Sequence, residues 1–152
     1  VELSRAAQFA IRTVLDLAAN GPGQTAQIAA RRGIPPAQAG KIVQQLVRGG
    51  VVRTTRGAGG GVRLARPPES ITLRQVIDAI EGPLTIARCV AYEDCPCLQP
   101  CPVRGALMRI QQVVERELDS VTLADLSAGT LASRAPKSGS RRSMPTVKEG
   151  GA

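Results

Sequence analysis

The sequence predicts a mainly α protein with a small β-wing: a winged helix-turn-helix domain followed by a long helix suited to pairing with a second copy. Three observations lead there. Apolar residues recur at steps of three and four through residues 4–19 and 36–47. Two β-branched runs, 51–55 and 62–65, enclose a glycine-rich turn. A last apolar stripe runs through residues 103–121, beyond the compact part of the chain. Of 152 residues, 43% are hydrophobic but 1% are aromatic (Phe9 and Tyr92), so the core has to be built from Ala, Val, Ile and Leu. Small side chains of that kind favour short, closely packed helices.

The first helix carries Leu3, Ala7, Ala10, Ile11, Val14, Leu15 and Ala18 on one stripe, interrupted by Glu2, Arg5, Arg12 and Asp16. It is amphipathic, which suits neither the apolar core of a signal peptide nor a membrane span. Asn20-Gly21-Pro22-Gly23 ends it, and Thr25 reads as the N-cap of a short second helix closed by Gly33. A third helix opens at Pro36, where a missing N–H costs nothing, and its stripe is Ala39, Ile42, Val43, Leu46 and Val47. Gly49-Gly50 stops it. Two short helices joined by a tight glycine turn are the helix-turn-helix pattern.

The hairpin that follows is a wing, with Gly57, Gly59, Gly60 and Gly61 between Arg56 and Arg63. It is not a dinucleotide-binding turn, because that pattern needs glycine where Val62 stands and a helix immediately after. Thr72 then caps a helix ending at Gly82-Pro83. After a cysteine-rich loop, Pro102 starts a helix over 103–120 whose stripe is Val103, Leu107, Ile110, Val114, Leu118 and Val121. Such a stripe suits a dimer interface. From Gly129 onward Ser, Pro, Gly and basic residues dominate, as in a disordered tail. The organisation expected is a DNA-binding domain at 1–66, a linker helix, cysteine loop and dimerisation helix at 67–128, and a basic tail at 129–152.

Charge divides along the same lines. Residues 1–66 hold ten Lys/Arg against Glu2 and Asp16; residues 67–129 hold five against nine acids; the rest hold five against Glu149. A cationic first module points to a polyanion, here double-stranded DNA. The N-terminal part of the recognition helix offers Gln38 and Lys41 for base edges, with Gln44 and Arg48 further along. Arg63, with Arg5, Arg31 and Arg53, is suited to phosphates. Catalysis is not expected: the chain has no histidine and no nucleophile motif.

All four cysteines, Cys89, Cys95, Cys97 and Cys101, fall within CVAYEDCPCLQPC. The loop is a disulfide knot, a metal site or a redox site. With no export signal read, a cytoplasmic location is expected, which disfavours disulfides. Thiolates suit iron–sulfur clusters and zinc alike, although a closed zinc site usually shows two separated knuckles of neighbouring cysteines.

The segments LSRAAQFAIRTVLDLA, TAQIAARRGIPPAQAGKIVQQLVRGGVVRTTRGAGGGVRLAR and ITLRQVIDAIEGPL, with the cysteine loop, span nearly all of residues 2–121. Together they resemble the IscR/NsrR-type winged-helix family of bacterial transcription regulators. The wing RGAGGGVRLAR followed by ITLRQVIDAIEGPL is the specific part. The resemblance implies a homodimer on a palindromic operator, acting mainly as a repressor, with Arg56 in the minor groove.

It also implies an iron–sulfur cluster, [2Fe–2S] in preference to [4Fe–4S], that senses iron–sulfur status, redox or nitric oxide, because Cys89-x5-Cys95-x5-Cys101 matches the spacing of the cluster-binding members. The chain departs from them at the fourth ligand. Arg104 stands where some have histidine, and Gln8 where others have an acidic residue. Cys97 becomes the candidate substitute, with Glu93 and Asp94 as second choices. The alternative is a winged-helix regulator without a cofactor, or with a zinc or thiol switch.

Overall fold

Ser4 sets where the first helix begins. Its hydroxyl accepts from the Ala7 N–H at 3.2 Å, and α1 runs Arg5–Asn20 until Gly21, at φ 74°, turns the chain. The computed structural model describes residues 2–91 and 101–129. Along them follow α2 (Thr25–Arg32), α3 (Pro36–Arg48), β1 (Val52–Thr55), β2 (Gly61–Leu64), a 3-10 turn at Pro68–Ser70 and α4 (Leu73–Glu81). The one-turn α5 (Arg88–Ala91) precedes the cysteine loop, and α6 (Pro102–Ser120) and α7 (Leu123–Ala128) follow it. Mainly helical with one antiparallel hairpin, the architecture is the expected one.

The boundaries move by a residue in places. Gln24 rather than Thr25 is the N-cap of α2, and the Gln27 side chain accepts from the Gln24 N–H at 3.4 Å. Val51 is not yet in the strand, because its N–H bonds back to the Leu46 carbonyl at 2.9 Å and finishes the α3 turn.

Ala10 and Val14 of α1, Ile28 of α2 and Ile42 and Leu46 of α3 form one buried cluster with Val51, Val52 and Val62 from the wing side. Small residues let the helices approach. At Gly49 a Cβ would stand 2.4 Å from the Ala79 Cβ, so only glycine lets the end of α3 abut α4. Val47, expected on the buried stripe of α3, is 38% exposed. It lies one helical step past Leu46 and turns out towards solvent.

The same cluster includes Ile71, Val76 and Leu123, so the core draws on both sides of position 66. Helix α7 is the element that the sequence reading lacked. Thr122 caps it, accepting from the Asp125 N–H at 3.1 Å, while Asp125 accepts from the Thr122 N–H at 3.0 Å. The Leu73 N–H bonds the Val121 carbonyl at 2.8 Å and the Leu123 N–H bonds the Ile71 carbonyl at 2.9 Å. These two bonds bring the chain back, and Leu123 enters the core with no exposed surface.

Helix α6 divides the expected stripe in two. Leu107, Val114 and Leu118 are half-buried, and α6 packs on α4. There the Gln111 amide accepts from the Ile86 N–H at 2.9 Å and donates to the Leu84 carbonyl. Arg74 of α4 reaches Asp119 at 2.8 Å and Glu115 at 3.7 Å. Val103 and Ile110 are exposed instead, together with Val113, at 61%, 51% and 51%.

Candidate nucleic-acid interface and cysteine loop

Helix α2, which leads into α3, is held to α1 by a buried carboxylate. Asp16 has no exposed surface, yet it accepts from Arg31 Nε at 3.1 Å, Arg31 Nη2 at 2.5 Å, Arg32 Nε at 2.9 Å and Asn20 Nδ2 at 3.0 Å. The Arg31 hydrogen bond, opposed by burial and aided by Arg32, holds its pKa below the ordinary value. This clasp fixes α2 to α1 and hence the direction of α3. In the sequence Asp16 is one of the charges interrupting the apolar helix and Arg31 is suited to a phosphate; in the structure Arg31 is instead directed at Asp16. The available signal was an acid inside an apolar stripe with two consecutive arginines closing the next helix.

On α3, Gln38, Lys41, Gln44 and Arg48 are all exposed, opposite the buried Ala39, Ile42, Val43 and Leu46. Their steps of three and four place them on one line along the helix. Ala37 and Gly40 beside them leave the backbone easy to approach. Among the described residues, no acidic side chain pairs with Lys41, Arg48, Arg53, Arg56 or Arg63.

In the wing, Arg53 lies directly opposite Arg63 in the β1–β2 register, and both are exposed. Like charges opposite each other cost about 0.2–1 kcal/mol, a cost that an anion between them reverses. Arg56 stands exposed where the turn begins. The turn needs its glycines: at Gly60 a Cβ would lie 2.2 Å from the Thr55 carbonyl oxygen. A single isolated bridge from Gly23, invisible in the sequence, joins the two-stranded hairpin. The Gly23 N–H bonds the Val62 carbonyl at 3.0 Å and the Val62 N–H bonds the Gly23 carbonyl at 2.8 Å. Next to it, the Gln24 side-chain amide donates to the Gly60 carbonyl.

Cys89 sits on α5 and Cys101 at the N-cap of α6, both half-buried free thiols. Arg104 Nε donates to the Cys89 carbonyl at 2.9 Å, and α5 packs on α6, so the two ends of the loop meet. Cys95, Cys97, Glu93 and Asp94 lie outside the described residues. The Gln8 amide donates to the Leu3 carbonyl at 3.0 Å.

A profile of the Rrf2 family, described as "Iron-dependent Transcriptional regulator", matches residues 3–129. The chain belongs to the Rrf2 family. Among its relatives, Protein aau3 of Rhizobium meliloti (strain 1021) is 34% identical over 130 residues, 83% of this chain and 84% of that protein. The structure of CymR (YrzC), the global cysteine regulator of B. subtilis, matches with 27% identity and a TM-score of 0.69, covering 85% of this chain and 98% of that one. IscR of T. potens matches with 25% identity and a TM-score of 0.69, covering 90% and 93%. The resemblance carried by the wing and the segment after it is thus borne out. Like other Rrf2 proteins this chain is a transcriptional regulator and not an enzyme, and its fold is that of CymR and IscR.

Proposed function

We propose that this Rrf2 protein binds a palindromic DNA operator as a homodimer, mainly as a repressor, and that a cysteine-bound iron–sulfur cluster in loop 89–101 governs the binding. The observation that carries the sensing half is the placement of Cys89 and Cys101. Two half-buried thiols stand at the two ends of one loop, which Arg104 holds together through the Cys89 carbonyl. Thiolate donors fit such a cluster, with Cys95 as the third ligand. Arg104 is a cation that cannot ligate and Gln8 is engaged with Leu3, so Cys97 is the fourth. We favour [2Fe–2S] over [4Fe–4S]. When bound, the cluster supplies a thiolate-linked centre that oxidants, nitric oxide or iron scarcity dismantle.

The reading half rests on the line Gln38, Lys41, Gln44 and Arg48. Gln38 and Lys41, nearest the helix start, take base edges in the major groove. Arg56 enters the minor groove, where a cation suits a narrow A·T-rich stretch. Arg53 and Arg63, facing each other, hold phosphate. A second copy covers the apolar groove of Ala106, Ile110, Val113 and Val114 on α6, continued by Val103, with the half-buried Leu107 and Leu118 beside it. A cytoplasmic location follows from this reading; among the described residues no helix is long and apolar enough to cross a membrane.

The likeness to CymR, the global cysteine regulator of B. subtilis, favours a second reading in which the cysteines act as thiols with no metal. Anaerobic purification separates the two. Iron and acid-labile sulfide in the protein, with visible absorption lost in Cys89→Ala and Cys101→Ala, supports the cluster. A colourless, iron-free protein whose operator affinity responds to thiol oxidants supports the second reading, and bound zinc would mark a third state.

A further inference from the structure

We infer that Gln24 is a positioning residue for DNA reading: it latches the wing to the start of α2, so that Arg56 and α3 meet the duplex in one fixed relation. The inference rests on the proposed role of the wing and adds how the wing is aimed. A hairpin of two four-residue strands is a weak element on its own. Its turn, residues 56–60, holds three glycines, which leave the tip free to reorient. Strand β2 is tied to the chain before α2 by the two backbone bonds between Gly23 and Val62, one residue pair below the turn. Gly61 allows that approach, because a Cβ there would lie 2.8 Å from the Gly23 carbonyl oxygen.

The tip itself has one tie. Among the described residues, the Gln24 amide is the sole hydrogen-bond donor from outside the hairpin that reaches residues 56–60. Gln24 is exposed, so it contributes nothing to the core, and it lines the same cleft as Thr25, Thr55 and Arg56. Its main chain caps α2, the helix that carries α3 behind it. One residue therefore touches both the wing and the helix that precedes α3. Ordering a free wing tip on the DNA would cost affinity; a tip already held costs less.

The test uses the full-length protein and its operator, with Gln24→Met, Arg56→Ala and the double variant measured by fluorescence anisotropy. Methionine keeps the length of glutamine and cannot donate. Gln24→Met is expected to weaken operator binding about three- to tenfold, the size of one exposed hydrogen bond. Amide exchange over residues 56–61 of the free protein becomes faster, by more than the loss of the α2 capping box with Gln27 accelerates exchange at the start of α2. In the double variant the loss is expected to fall short of the product of the two single losses, because both act through the wing tip. If Arg56→Ala weakens binding but Gln24→Met does not, or the two effects multiply, the latch is overturned while the wing reading stands. If Arg56→Ala leaves operator binding unchanged, the wing reading fails and the latch fails with it. Unchanged exchange over 56–61 in Gln24→Met also overturns the latch, whatever the DNA result.

Discussion

Replacing Asp16 by asparagine removes a buried charge and leaves the shape of the side chain. Asp16 accepts from both nitrogens of the Arg31 edge and from Arg32 and Asn20, with every contact between 2.5 and 3.2 Å. Breaking a fully buried ion pair costs about 3–5 kcal/mol, because the remaining charge has no water. Here the arginine side chains are 43% and 34% exposed, so their guanidinium groups rehydrate when the carboxylate is gone. The cost falls to about 2 kcal/mol, near that of one or two charge-assisted hydrogen bonds. For a chain of this length that lowers the melting temperature by roughly 4–8 °C.

The effect depends on pH in a definite direction. The Asp16 pKa is lowered in the folded state, so its contribution is complete above the unfolded value of about 3.9 and disappears as pH falls through the folded one. Thermal melts followed by circular dichroism at pH 7 and near pH 3 are the assay. The gap between wild type and Asp16→Asn is expected to be wide at pH 7 and to close in acid. Equal melting at pH 7, or a gap that stays the same in acid, refutes the clasp.

Arg56→Ala is expected to weaken operator binding by about 1–3 kcal/mol and to relax preference for A·T-rich flanks, whereas Arg53→Ala should weaken all sequences evenly and reduce the salt slope by about one. Binding equal to wild type in Arg56→Ala would remove the wing from the interface. Ile110→Asp with Val113→Asp is expected to give monomers in analytical ultracentrifugation and to lose operator affinity; both side chains are half exposed in the single chain, so a persistent dimer would show that α6 is not the contact. Leu123→Ala removes a fully buried side chain and should cost about 2–5 kcal/mol in urea unfolding, while a cost near zero would mean that α7 is not part of the core.

Local signals carried most of the fold into the sequence. Pro36 opening α3, Thr72 capping α4 and the glycines of the wing turn each act on the backbone within a few residues, so their meaning is readable without the rest of the chain. What escaped depends on long-range neighbours. Asp16 looks like any surface acid until Arg31 and Arg32 are brought over it. The α6 stripe reads as one face, but whether Leu107 or Ile110 meets the chain's own α4 is decided by where α4 lies. Helix α7 did have a local mark, the pair Thr122 and Asp125, but six residues make too short a pattern to stand out before a polar tail. Exposure of the line from Gln38 to Arg48 follows from helical periodicity alone; the tie between Gln24 and Gly60 spans thirty-six positions and has no sequence signature.

Helix α6 has unequal ends. At its C-terminus Arg74 grips Asp119, the Val121 carbonyl takes the Leu73 N–H and Leu123 is sunk in the core. At its N-terminus it starts on Cys101 and meets the single turn of α5. Nineteen residues make a rod about 28 Å long. At that length a tilt of about 5° about the C-terminal anchor corresponds to a displacement of about 2.4 Å at the Cys101 end, so the position of the cysteine end and the tilt of the rod against α4 are geometrically linked.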